Sequence, residues 1–135
     1  MKIKLTLAKV SNSALVQGFV ELRNLPVSGD QAVLLDRASE KLVSEHQRYH
    51  KLRNDWFSKH ADKTQDGYEI TVGDPRLEAL KQYESELGNE IIEIRIVKKF
   101  KLPLTFSINA IQYRALLDAG IIEEIVVADE DDPEK

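Results

Sequence analysis

The sequence predicts a helix-dominated α+β fold, with a long antiparallel two-helix hairpin projecting from a small sheet packed with short helices. Three observations carry that expectation. Residues near each end of the chain alternate between apolar and polar, the period of a half-buried strand. From Gln31 to His60 neither proline nor glycine interrupts a helical pattern. Asp74-Pro75 then opens a second helix with a matching apolar stripe. At 135 residues the chain suits one domain, with expected bounds of 1–128, an arm over about residues 30–88, and an acidic, disordered tail over 129–135.

The elements follow in order. Ile3, Leu5 and Leu7 alternate with Lys2, Lys4 and Thr6, which reads as a short strand. Ser11-Asn12-Ser13 supplies caps for a helix through Ala14, Leu15, Phe19 and Leu22 that ends near Asn24, where Leu25-Pro26 stops it. Ser28 and Gln31 have the spacing of a capping box at the head of the long helix. In that helix Leu35, Ala38, Leu42, Glu45, Tyr49, Leu52 and Trp56 repeat at alternating steps of 3 and 4, the seam of a coiled-coil-like pair interrupted once, by Glu45. Roughly 30 residues at 1.5 Å each give a rod of about 45 Å, so part of it should project beyond the domain body.

Asp66-Gly67 and Gly73 around Tyr68, Ile70 and Val72 predict a turn and a small strand at the far end of the arm. The returning helix offers Leu77, Leu80, Tyr83 or Glu84, Leu87 and Ile91 to the seam and ends at Gly88-Asn89. Beyond Glu90 the period changes to two. Ile92, Ile94, Ile96, Phe100 and Leu102 share one face of a strand, while Glu93, Arg95, Lys99 and Lys101 share the other, with Lys98 out of phase. Ser107 is the expected cap of a last helix through Ile108, Ile111, Ala115 and Leu116, which Gly120 terminates and onto which Ile121 and Ile122 fold back. Ile125, Val126 and Val127 could add a final short strand.

Composition narrows the chemistry. The chain has no cysteine, so disulfides, thiolate nucleophiles and the commoner structural zinc sites are excluded. The opening MKIKLTLAKV resembles the charged end of a secretion signal, but Lys4 and Lys9 break its apolar run, and no stretch approaches the roughly 20 apolar residues of a membrane span. The formal charge of −4 lies largely in the tail; without the five carboxylates of 129–134 the remainder carries eighteen acids against nineteen bases. No GxSxG, no glycine-rich phosphate loop and no facing pair of carboxylates is present, so the sequence predicts neither an enzyme nor a cofactor.

The densest chemical stretch is EHQRYHKLRNDWFSKH, residues 45–60, which holds all three histidines and the only tryptophan. His46 and His50 share a helix face and have the spacing of two metal ligands, but no third ligand is evident and the spacer Gln47-Arg48-Tyr49 lacks the glutamate of a zinc-protease motif. The expectation is solvated, helix-compatible histidines and no metal. Arg48, Lys51, Arg53, Lys59 and Lys63 beside Tyr49, Trp56 and Phe57 have the composition of a base-stacking groove; the seam assignment instead turns Tyr49 and Trp56 towards the second helix. The run Val97-Lys98-Lys99-Phe100-Lys101 reads as edge protection of a strand, or as a surface for an acidic partner, the chain's own tail among them.

Taken together, the helix closing on Leu25-Pro26, the long helix through RASEKLVSEHQRYHKLRNDWFSKH, the DGYEI turn, the segment ESELGNEIIEI and the terminal LLDAGIIEE resemble small tailed-phage or prophage proteins of a family known only as a domain of unknown function, over about residues 13–124. The resemblance implies phage or prophage origin and a small accessory role with no assigned chemistry, and it supplies no site residues; the expected location is the cytoplasm of an infected bacterium or the virion. The expected function is contact with proteins, as a virion or assembly component or adaptor, through self-association or another phage or host protein. Val33, Leu34, Val43 and Phe57, left over from the seam, and Arg95, Lys98, Lys99 and Lys101 are the expected contact residues. The alternatives are an inhibitor of a host or defence protein whose acidic tail mimics nucleic acid, and, less favoured, a weak nucleic-acid-binding accessory protein. No membrane partner is expected.

Overall fold

The computed structural model describes residues 1–127. The fold is α+β and helix-rich, with a long helix and two small antiparallel sheets. Strand β1 (Lys2–Thr6) pairs with β4 (Ile91–Arg95), so the sheet of the base joins two segments separated by the whole arm. Its register sets Ile3 opposite Ile94 and Leu5 opposite Ile92, and all four are buried on one face. Lys2, Lys4 and Arg95 occupy the other face with Glu93, which takes Lys2 at 3.6 Å. The alternation therefore does what a two-faced strand requires.

Leu7 leaves the strand. Instead of extending β1 it opens a four-residue helical turn, α1 (Leu7–Val10), because the Thr6 side chain accepts the Lys9 amide at 3.3 Å and caps it. Leu7 and Val10 are fully buried by that turn. Asn12 then caps α2 (Ser13–Glu21), accepting from Ala14 at 2.9 Å, and a 3₁₀ turn at Leu22–Asn24 ends it before Pro26.

Helix α3 (Gly29–His60) is the spine. Its Leu35, Ala38, Leu42 and Tyr49 are buried as the seam predicts, whereas no residue of α3 beyond Tyr49 is buried. Glu45, the polar member of the seam, is half-buried and accepts a hydrogen bond from Arg48 at 2.8 Å. At the far end β2 (Asp62–Thr64) and β3 (Gly67–Glu69) form a small hairpin, with Gly67 at φ +141° and Gly73 at φ +89° supplying the turns. Helix α4 (Pro75–Gly88) returns, capped by Asp74 and closed at Asn89. Ile91, expected in its stripe, is instead the first residue of β4 and is exposed, because the chain has already switched period.

The last helix, α5 (Ala110–Asp118), begins later than the sequence suggests. Its cap is Asn109, which accepts from Gln112 at 2.8 Å, and not Ser107; Ile111 is consequently exposed. Gly120, at φ +76°, closes the helix: its amide bonds to Leu117 O and that of Ile121 to Leu116 O, both at 3.0 Å. Ile121 and Ile122 fold back and are buried, and Phe100 and Ile122 form a parallel bridge through bonds of 3.0 and 2.9 Å. Residues 125–127 form no strand; the Ile125 amide donates to the Tyr113 hydroxyl at 3.0 Å. The tail over 129–135 lies outside the described residues.

Helix α2 is sandwiched between α3 and α5, and Gly18 is the point of closest approach to α5. A Cβ there would sit 3.1 Å from the Gln112 Cβ and 3.3 Å from Leu116. Gly18→Val adds two methyl groups beyond that Cβ and should destabilise the fold by about 1–3 kcal/mol, as overpacked cores do. Urea unfolding followed by circular dichroism is the measurement; an unchanged midpoint would show that α2 and α5 are not tightly apposed.

Candidate contact site at the base of the arm

Where β4 ends, the chain bends and the predicted strand through Leu102 is cut short. Ile96 still joins the ladder, its amide donating to Met1 O at 3.0 Å, but Val97 and Lys98 turn away from β1. Their main-chain groups are met by Gln31. Its Oε1 accepts the Val97 amide at 2.7 Å and its Nε2 donates to Lys98 O at 3.1 Å. Gln31 is 5% exposed, so this side chain substitutes for a missing neighbouring strand. The capping box expected from Ser28 and Gln31 does not form, because Gln31 is drawn to the bend. Asp30 takes the capping role: it accepts from the Ser28 hydroxyl at 2.6 Å and from the Gln31 amide at 2.9 Å, and these bonds hold its carboxyl below the usual carboxylate range.

The bend and the approach to α3 enclose a groove of about 420 Å³. Leu25, Val27, Val97, Phe100 and Pro103 contribute its apolar wall. Lys98, Lys99 and Lys101 line it as well and are solvent-exposed, with Glu123 the one carboxylate among the lining residues. A second depression, of about 520 Å³, adjoins it and shares Lys101, Pro103 and Glu123; Leu104 and Val126 are its exposed apolar members.

The predicted contact residues thus separate into groups. Lys98, Lys99 and Lys101 converge on the groove, while Arg95 points from the outer face of the sheet, so the basic run is not one strand face. Val33, 49% exposed, and half-buried Leu34 sit near the start of α3. Val43 packs against the core from the middle of the helix, and half-buried Phe57 lies in its last turn. These four do not form one surface: about 36 Å of helix separates Val33 from Phe57 at 1.5 Å per residue. Sequence reasoning missed Gln31 and the Leu25–Val27 wall; a glutamine three residues after a serine fits a cap as well as a buried bridge.

The histidine cluster is absorbed by packing. His46 Nδ1 lies 2.8 Å from Val10 O and His50 Nε2 3.1 Å from Ser11 O, and a carbonyl only accepts, so both rings donate to the carbonyls at the end of α1. The rings meet edge-on at 4.6 Å, on one face as predicted. Among the described residues no group of three or more His, Cys, Asp or Glu side chains could hold a metal ion. Tyr49 is buried, and Trp56 stacks on Tyr83 across the seam at 5.9 Å and on His60 at 4.1 Å. The rings expected to compete between base stacking and the seam therefore face the seam.

At the arm's end Arg76 gathers Asp62, Asp74 and the His60 carbonyl, with bonds of 2.6–3.2 Å. The guanidinium holds both carboxyls below their ordinary value of 3.8. No helix among the described residues is long and apolar enough to cross a membrane. The chain matches no family model, no curated protein and no solved structure.

Two outcomes follow from these bonds. Gln31→Met keeps the side-chain length but leaves the Val97 amide and Lys98 carbonyl unpaired. The expected loss is about 2–4 kcal/mol for two orphaned groups, read from chemical denaturation; a loss below 1 kcal/mol would mean that water replaces the glutamine. At the arm's end, the depressed aspartate values stabilise the folded tip fully above pH 3.8, and that contribution vanishes as the pH falls below it through the folded values. Arg76→Gln should therefore lower amide protection factors over residues 56–76 at neutral pH, abolish the further loss of protection expected of the unmodified protein on acidification, and leave β1 and β4 protected. Uniform exchange changes in both regions would contradict a local tie.

Proposed function

We propose that the protein is non-enzymatic and acts by contact with other proteins, with the groove at the base of the arm taking an acidic segment of its partner. What supports this reading is the groove itself: an apolar wall with three exposed lysines, set on a bend whose main chain is fixed by the buried Gln31. Apolar surface supplies affinity and the lysines select acidic partners and guide their approach. The phage setting implied by the sequence resemblance makes a virion or assembly protein, or an adaptor, the natural role, with the arm as a spacer that sets the distance between neighbours. Self-association is the simplest form of such contact.

The test is light scattering during size-exclusion chromatography, together with fractionation of phage particles from infected cells, on the unmodified protein and on the Lys98→Gln, Lys99→Gln, Lys101→Gln variant. The expected result is a defined oligomer or co-migration with capsid or tail proteins, lost in the triple variant. A monomer absent from every particle fraction overturns the reading.

A further inference from the structure

We infer that the acidic segment 129–134 of this chain docks in cis into the lysine-lined groove, an inference that rests on reading that groove as a docking surface for acidic peptide. Charge favours this docking. Residues 129–134 carry five carboxylates in six positions, and the groove offers Lys98, Lys99 and Lys101 against the single Glu123. The rest of the chain is nearly balanced, so this is where its charges are most unevenly distributed.

Position favours it as well. The Tyr113 hydroxyl accepts the Ile125 amide, which fixes the outgoing chain against α5. Val126 then lines the depression that shares Lys101, Pro103 and Glu123 with the groove. Only Ala128 separates Val127 from Asp129. Eight residues reach at most about 27 Å when extended, and a segment tethered this close meets the groove at an effective concentration on the order of millimolar. A partner's acidic segment therefore has to displace a covalently attached competitor.

Each lysine contact is exposed and individually weak. The Debye length falls from about 8 Å at 0.15 M salt to about 3 Å at 1 M. The contact is thus salt-sensitive, favoured at low ionic strength and displaced by partners that offer more carboxylates or an apolar side chain for the wall.

The experiment measures fluorescence anisotropy of a labelled ADEDDPEK peptide, at low and high salt, with the full chain and with a full-length variant whose tail is neutralised (Asp129→Asn, Glu130→Gln, Asp131→Asn, Asp132→Asn, Glu134→Gln). The expected result is at least tenfold tighter binding by the neutral-tail variant at low salt, lost when Lys98, Lys99 and Lys101 are also changed to glutamine. Equal binding by both chains overturns the inference and leaves the groove reading standing. No binding by either, or binding that survives loss of the lysines, overturns both. Weak binding by the full chain accompanied by a dimer that the neutral-tail variant no longer forms places the tail on a second copy and overturns docking in cis.

Discussion

Helix α3 runs unbroken for 32 residues, about 48 Å at 1.5 Å per residue, whereas a compact body of this chain's size is only about 36 Å across. A helix longer than its own domain cannot be buried by one core. The structure shows how the excess is handled. The inner part, up to Tyr49, packs on α1, α2 and β4 and supplies every buried residue of the helix. The outer part relies on α4, on half-buried rings, and on polar ties at its end. Core burial and arm cohesion are therefore separate problems, solved by different chemistry on one continuous element.

That division accounts for much of the polar chemistry that lies along α3. Arg48 answers Glu45 within the helix and also reaches Glu90, just ahead of β4; the two carboxylates raise its already high pKa. His46 and His50 satisfy the carbonyls at the end of α1, which a four-residue helix cannot satisfy internally. Arg53 bridges to Glu84 across the hairpin at 3.2 Å. Exposed pairs of this kind contribute little individually to stability. Their geometric effect is larger: each fixes the position of one element relative to the helix that touches nearly everything else.

Regular periodicity made most of the architecture legible. The 3 and 4 steps of α3, the Asp74-Pro75 opening of α4, the alternation of Ile92, Ile94 and Ile96, and the terminator Gly120 all read correctly because each reflects a local backbone requirement. The misses share a cause. Leu7 alternates with its neighbours yet belongs to a helical turn, and Gln31 has cap spacing yet bridges to a segment 66 and 67 residues away. Gln31 is decided by a distant partner and Leu7 by the side-chain cap at Thr6, and neither leaves a periodic trace. The groove was half legible: its lysines are conspicuous as a run, but the Leu25–Val27 wall and the bend that turns Lys98 outward depend on the fold closing.

The origin of the groove's charge also limits what it can hold. A helix N-terminus beside lysines is often an anion site, because its free amides and dipole act with the cations. Here Asp30 already accepts the Gln31 amide, so the carboxylate of the first turn opposes the positive end of α3. The attraction left in the groove comes from flexible, solvent-exposed lysines and falls with salt. A compact anion such as free phosphate gains little from such a site. An extended acidic segment would contact several lysines at once, its apolar groups meeting the wall formed by Leu25, Val27 and Phe100. The geometry therefore favours peptide over small ion, and it does so because Gln31 left the cap to satisfy the bend and Asp30 took its place.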